Sequence, residues 1–348
     1  MNTNFKKLTP TAIGVAAFVI ILVGMKLAQS FLNPFLMALF ITIICAQPIF
    51  WLKKKNVSTG LAVLIVIIGL LAVYTGLNWL VGSSLSFFIR DASKYSESLK
   101  EITESSGRFF SERGINIAVF GGAGALDLAK VMEYTQTVVN HIGEMVSNEI
   151  TFIFLTIFLL VEIDGIRLKI MVMAKGSDAT LEYWHIIGRK IRHYLSIKTM
   201  TSLATGVFVG LSLAIIGVDY SILWGLLAFL LNYIPTIGSI IAAIPGITFS
   251  LLQFGFPATF WTAGIYIFAN VAIGSVLEPR IMGKGMGLSA FTVFFCLIFW
   301  GFILGPVGMF LSVPITMAIK FILDYNPKTK WIAVLLGTKN DALRELEA

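Results

Sequence analysis

Two stretches of this chain stay apolar for too long to cross a membrane once. Residues 221–252 and 289–322 run for 32 and 34 residues. As helices rising 1.5 Å per residue they would reach about 48 and 51 Å, against a hydrocarbon core of about 30 Å. Each is interrupted in its middle, the first by Asn232-Tyr233-Ile234-Pro235-Thr236-Ile237-Gly238-Ser239 and the second by Gly305-Pro306-Val307-Gly308. Proline removes a backbone donor and glycine frees the chain to turn, so each run reads as two half-helices meeting at an irregular tip. Six further runs, at 9–29, 34–52, 60–82, 150–172, 199–217 and 258–277, have ordinary spanning length. The expected fold is all-α: a polytopic helical membrane protein with six full spans, two broken re-entrant helical hairpins and an extramembrane helical insertion.

Composition removes the soluble alternative. Charged residues are 13% of the chain and hydrophobic residues 57%, where ordinary soluble domains carry about 25% charged. The net charge of +7 does not indicate nucleic acid, because the charges gather beside the spans. With the N-terminus inside, segments assigned to the cytoplasm hold 18 of the 26 Lys and Arg residues, while 83–149, placed outside, holds six basic against nine acidic residues. Single crossings in place of the hairpins would put Arg280 and Lys284 outside, so the charge bias favours hairpins. Lys6-Lys7 and the run from Ala12 imitate a signal peptide, but a second apolar run follows with no small-residue cleavage site between them, which reads as an uncleaved first span.

The topology has a consequence. The span at 199–217 is followed by a hairpin entering from outside, and the span at 258–277 by one entering from inside. Two span-plus-hairpin units of opposite direction are how many secondary transporters build a site that faces either side.

Residues 83–149 carry two amphipathic stripes, from Leu85 to Phe109 and from Leu128 to Val146, joined through Gly121-Gly122-Ala123-Gly124. They read as a helical hairpin outside the membrane or between subunits; no strand or Gly-Lys-Ser/Thr accompanies the glycines, so a phosphate loop is not expected. Between Asp178 and Lys198, the face Leu181, Trp184, Ile187, Ile191 and Tyr194/Leu195 opposes Arg189, Lys190 and Arg192, as in a helix lying on an anionic lipid surface. Cys45 and Cys296 sit inside apolar runs as small buried hydrophobes. His141, His185 and His193 have no ligand spacing, so neither a metal nor a cofactor is expected.

The chemistry of the tips is backbone chemistry. A half-helix beginning after Pro235 or Pro306 directs unpaired N–H groups and partial positive charge at the tip, suited to anionic or hydroxyl-rich solutes, while the preceding half-helix ends in free carbonyls. Asn232, Tyr233, Thr236 and Ser239 add neutral hydrogen-bonding groups, and Gly238, Pro245, Gly305, Pro306, Gly308 and Pro314 shape the two breaks. Glu278-Pro279-Arg280 is the conspicuous charged cluster beside a span; Glu278 and Arg280 are expected to pair as a gate, to couple a proton or cation, or to anchor a loop.

Three motifs in order, Asn232–Ser239 with Pro245, then Glu278-Pro279-Arg280-Ile281-Met282-Gly283-Lys284-Gly285-Met286-Gly287-Leu288-Ser289, then Trp300-Gly301-Phe302-Ile303-Leu304-Gly305-Pro306-Val307-Gly308-Met309 with Pro314, closely resemble the signature of the autoinducer-2 exporter family of bacterial membrane proteins. The resemblance extends to the three leading spans, the polar insertion and the basic amphipathic stretch. One departure is Gly285-Met286-Gly287, where a Leu-Gly pair commonly follows the basic residue. The resemblance implies a permease; the family's founding activity is export of the quorum-sensing signal autoinducer-2, and some relatives are associated with sodium–proton antiport.

The expected function is therefore export or facilitated passage of a small polar solute by alternating access. The alternatives are a cation–proton antiporter relying on Glu278 and a non-transporting scaffold; no nucleophile, base and orienting group gather as in an enzyme. The expected organisation is N-terminal spans at 1–82, the outer insertion at 83–149, a span with a basic cytoplasmic helix at 150–198, a transport core at 199–322 and a tail at 323–348. The expected setting is the bacterial inner membrane, with both termini cytoplasmic, contact with anionic lipid, homo-oligomeric assembly and no nucleic acid.

Overall fold

A computed structural model of the chain describes residues 3–80, 82–83, 137, 150–163, 165, 168–169, 172, 178–282 and 287–347. Every regular element among them is helical. In chain order these are α1 (Thr3–Leu27), α2 (Gln29–Lys54), α3 (Thr59–Leu80), α4 (Ile150–Val161), α5 (Asp178–Ile216), α6 (Ser221–Leu231) and α7 (Ile237–Ala269). A π-helix (Asn270–Leu277) continues α7 into the short α8 (Glu278–Met282), and α9 (Ala290–Tyr325), α10 (Lys330–Leu336) and α11 (Lys339–Glu347) complete the chain. Five stretches, Gln29–Lys54, Thr59–Leu80, Ile186–Ile216, Ile237–Met282 and Ala290–Tyr325, are long and apolar enough to cross a membrane. They expose Phe260, Trp261, Phe291 and Phe302 to more than two thirds of their surface, a face only lipid or protein tolerates in such number. The chain is a polytopic helical membrane protein. The helical hairpin expected in 83–149 lies almost wholly outside the described residues.

The chain divides into two compact units, one of Met1–Val66, Ile150–Leu195 and Lys284–Ala348, the other of Ile67–Glu149 and Ser196–Gly283. In the first, α2 packs on α4 and on α9, and α9 also meets α1 and α10. Phe40 of α2 stands edge-on to Phe310 of α9, centroids 5.1 Å apart. Cys296, Trp300, Ile303 and Leu304 of α9 bury their side chains against Leu22 and Met25 of α1 and Leu32 and Leu36 of α2.

In the second unit, α6 packs on α7 around Trp224 and Phe249, both fully buried with ring centroids 4.9 Å apart. Backbones also touch here. A Cβ added to Gly225 of α6 would come within 2.7 Å of the Gly206 carbonyl oxygen and 2.8 Å of the Gly210 Cα, both on α5; small residues four apart let membrane helices approach this closely.

Both overlong runs are folded in two, at the places the sequence marks. The first splits into α6 and the leading arm of α7, joined by 232–236. The second is broken inside α9 at Gly305 (φ 64°, ψ −149°), and Trp300 Nε1 of one arm donates to Thr316 Oγ1 of the other at 3.1 Å. Residues 16 apart would lie about 24 Å apart along one straight helix, so the bond proves the reversal. A third reversal falls at Gly255 (φ 71°, ψ −165°) in Phe254-Gly255-Phe256-Pro257, where Thr262 Oγ1 donates to Ser250 Oγ at 2.9 Å. Gly255 and Gly305 share a region of backbone space open essentially to glycine alone.

One expectation is corrected. The amphipathic stretch 178–198 and the span 199–217 are not a surface helix followed by a span but the single 39-residue helix α5. No proline or glycine interrupts 189–205, and although Ser196 and Thr199 could cap a helix, the helix runs through them. The expected sidedness does appear: Ile187, Tyr194 and Leu195 are buried while Arg189 and Lys190 are exposed.

Candidate functional site

The tip between α6 and α7 begins where Asn232 caps α6 with a backbone N–H to Ala228 O. Its side chain turns inward, Nδ2 donating to Ser202 Oγ of α5 at 3.0 Å, and Tyr233 next to it donates its hydroxyl to Thr199 Oγ1 at 2.8 Å. Both residues are buried. The chain then turns at Thr236, which holds φ 58° and ψ −52° while Ile237 N–H donates to Pro235 O at 2.6 Å. This is a γ-turn of the positive-φ kind, rare and strained, on a β-branched residue that normally avoids that region. Gly238 permits the fold-back, since a Cβ there would meet the Leu231 carbonyl.

The first two N–H groups of the leading α7 arm are taken by carbonyls of the tip. Ile237 N–H is taken by Pro235 O and Gly238 N–H by Ile234 O at 3.3 Å. The turn is tight enough for the tip's own carbonyls to reach back and cap these two groups. What remains on its surface is neutral: Thr236 is exposed, and half-buried Ser239 donates to Asn270 Oδ1 at 3.1 Å. Asn270 opens the π-helix, an element found frequently at functional sites.

Glu278, at the far end of the π-helix, does not pair with Arg280. Its carboxylate receives Lys198 Nζ at 2.8 and 2.9 Å and Thr201 Oγ1 at 3.1 Å, with side-chain exposures of only 7% for Lys198 and 13% for Glu278. Residues two apart on a helix point in different directions, which leaves Arg280 exposed. Partners 80 and 77 residues away carried no local signal; the same holds for Thr199, Ser202 and Asn270.

In the first unit, the break at Gly305 is closed from outside its own helix. Asn33 Nδ2 of α2 donates to Leu304 O at 3.1 Å, its Oδ1 is buried without a hydrogen-bond partner, and Gln29 Nε2 stands 2.8 Å from where a Gly305 side chain would begin. Gly308 lies beyond the turn, beneath the Trp300 carbonyl. Pro306 is exposed at the turn. Pro245 and Pro314 each sit nine residues into the second arm, counted from Thr236 and Gly305, and each leaves a carbonyl one turn earlier without its usual donor.

Membrane helices reversed at Gly255 and Gly305, with polar side chains gathered at the 232–236 break and a nearly buried ion pair, make this a polytopic helical membrane protein. The comparisons agree. The AI-2E family transporter profile matches residues 15–328, and the chain belongs to that family. A relative from Haemophilus influenzae is 37% identical over 346 residues, covering 97% of this chain and 99% of its own. The AI-2 transport protein TqsA of Escherichia coli K12 is 35% identical, covering 92% and 94%, and the YhhT protein of the same organism is 30% identical, covering 93% of each.

Proposed function

We propose that this transporter moves a small polar solute across the bacterial inner membrane by alternating access, with export of autoinducer-2 as the best-supported case. The carrying observation is the pair of broken helices at 232–236 and Gly305, the first with neutral hydrogen-bonding groups at its tip. With α6 starting at one membrane face, its 11 residues carry the tip about 16 Å inward, half the hydrocarbon core, the depth at which a site can open to either side. Both termini are cytoplasmic in this reading, with Arg189 and Lys190 of α5 against anionic lipid and a homo-oligomer as the working assembly. The substrate is supported by the similarity to TqsA, an AI-2 transport protein, alone. The test is release of autoinducer-2 from loaded proteoliposomes; release no faster than from empty-membrane controls removes the named substrate.

Cation–proton antiport has one observation behind it, the nearly buried carboxylate of Glu278. The Lys198 ammonium already occupies the place a cation would take, so a cation must displace it. Loss of pH-dependent sodium flux in Glu278→Gln would favour antiport; unchanged flux removes it.

A further inference from the structure

We infer that Asn270, supported by Ser239, holds a hydroxyl group of the transported solute, and that the solute class is uncharged and hydroxyl-bearing. The inference rests on the transporter reading above and adds to it a contact residue and a class of substrate.

Asn270 is a carboxamide in the middle of a membrane-crossing stretch. From Phe256, just past the reversal at Gly255, it lies 14 residues along the chain, about 21 Å; the hairpin tip, reached from the opposite end of α6, comes to the same place, since Ser239 Oγ donates to Asn270 Oδ1. The start of α6 and the reversal at Gly255 lie at one end, joined by the Asp219 N–H to Gln253 Oε1 bond, so with that end at one membrane face both lengths place the pair inside the hydrocarbon core. Ser239 Oγ also lies 3.2 Å from Thr236 O, so its one proton is shared between that carbonyl and Asn270 Oδ1; Asn270 Nδ2 makes no hydrogen bond among the described residues, and the side chain is only half buried. An amide donor left unpaired at this depth costs free energy unless something polar visits it, and polar side chains inside membranes mark solute paths. The π-helix that Asn270 opens is a further departure from regular structure at the same point.

The surrounding chemistry selects the class. Nδ2 offers donors, and the oxygens of Ser239 and exposed Thr236 keep lone pairs after donating to Asn270 Oδ1 and Pro235 O, which together match an alcohol that both accepts and donates. Charge is absent from the pair itself. Lys198 and Glu278 nearby neutralise each other, and the first two N–H groups of the leading α7 arm, which would attract an anion, are taken by the Pro235 and Ile234 carbonyls.

The experiment measures uptake by proteoliposomes of a radiolabelled panel of uncharged polyols and sugars, autoinducer-2 included, against the phosphate esters of the same polyols and sugars. For any solute carried, Asn270→Leu is expected to raise KM about tenfold, the loss of one or two hydrogen bonds, with Vmax within twofold. Asn270→Asp, nearly the same shape without the amide donors, is expected to do the same. Ser239→Ala removes the bond that pins Asn270 but leaves the donors, and is expected to raise KM less than threefold. Unchanged KM in both Asn270 variants overturns the inference; so does a Ser239→Ala effect equal to that of Asn270→Leu, which would make the pair a structural pin, and so does equal transport of the phosphate esters. Wild-type protein that carries no member of the panel above empty vesicles overturns the transporter reading and the subsite with it, whereas wild-type transport with unaffected Asn270 variants overturns the subsite alone.

Discussion

Replacing Lys198 with Met leaves the Glu278 carboxylate without its cation. In the native protein Lys198 Nζ bridges both carboxylate oxygens at 2.8 and 2.9 Å, and the two side chains are 7% and 13% exposed, so water cannot take over. Removing one partner from a buried pair costs about 3–5 kcal/mol. With about 2–3 °C lost per kcal/mol for a chain of this size, Lys198→Met should unfold roughly 6–15 °C below the wild type, followed by tryptophan fluorescence in detergent at neutral pH. Thr201 remains as a donor to Glu278 at 3.1 Å, which places the expectation toward the lower end of that range. Lys198→Met combined with Glu278→Leu should be more stable than either single change, because a well-packed apolar pair replaces a stranded charge. A single variant melting within 2 °C of the wild type, or a double variant whose loss is the sum of the singles, would refute the reasoning.

Three further outcomes follow from the geometry. Gly238→Ala and Gly308→Ala would each press a Cβ onto a carbonyl, of Leu231 and of Trp300, where backbone cannot yield, so each should lose about 3 kcal/mol and show it as a lowered melting temperature; a neutral result would mean the tips are looser than described. Arg280→Cys, at an exposed position, should react with an impermeant thiol reagent from the cytoplasmic side alone, and labelling from outside would invert the topology. The tail supplies a pH test. Burial pushes the Asp341 carboxyl up, but the Thr338 N–H and the Lys320 ammonium outweigh it and hold it below the ordinary carboxylate range. A carboxyl lowered in the folded state stabilises above its unfolded value and loses that contribution as pH falls through the folded one. Protease cleavage within 330–347 should therefore rise below about pH 4 in the wild type and lose that dependence in Asp341→Asn.

The breaks were legible because proline and glycine act locally. Gly305-Pro306 and Ile234-Pro235-Thr236 announce a turn to anyone reading a few residues, and Phe254-Gly255-Phe256-Pro257, between the first hairpin and the next span, turns as well. The boundary between the basic stretch and the span at 199 was not legible, because amphipathic and apolar segments both favour helix and nothing between them stops it. The Lys198 partner of Glu278 was not legible for a different reason. Proximity in sequence suggested Arg280, but helical geometry separates neighbours two apart, and the true partner is set by how α5 lies beside the π-helix. Nor does any single-residue signal announce a π-helix; Asn270 and Glu278, at its two ends, meet partners distant in the chain.

Thr236 has a consequence of its own. A glycine could take its φ of 58° and ψ of −52° without cost, whereas a β-branched residue there carries about 1–3 kcal/mol of backbone strain. The tip is thus wound and held, its tension resisted by Asn232 and Tyr233 gripping Ser202 and Thr199 of α5. A spring of that kind has a direction: any movement that loosens the grip is assisted by the turn itself, and any return must rewind it.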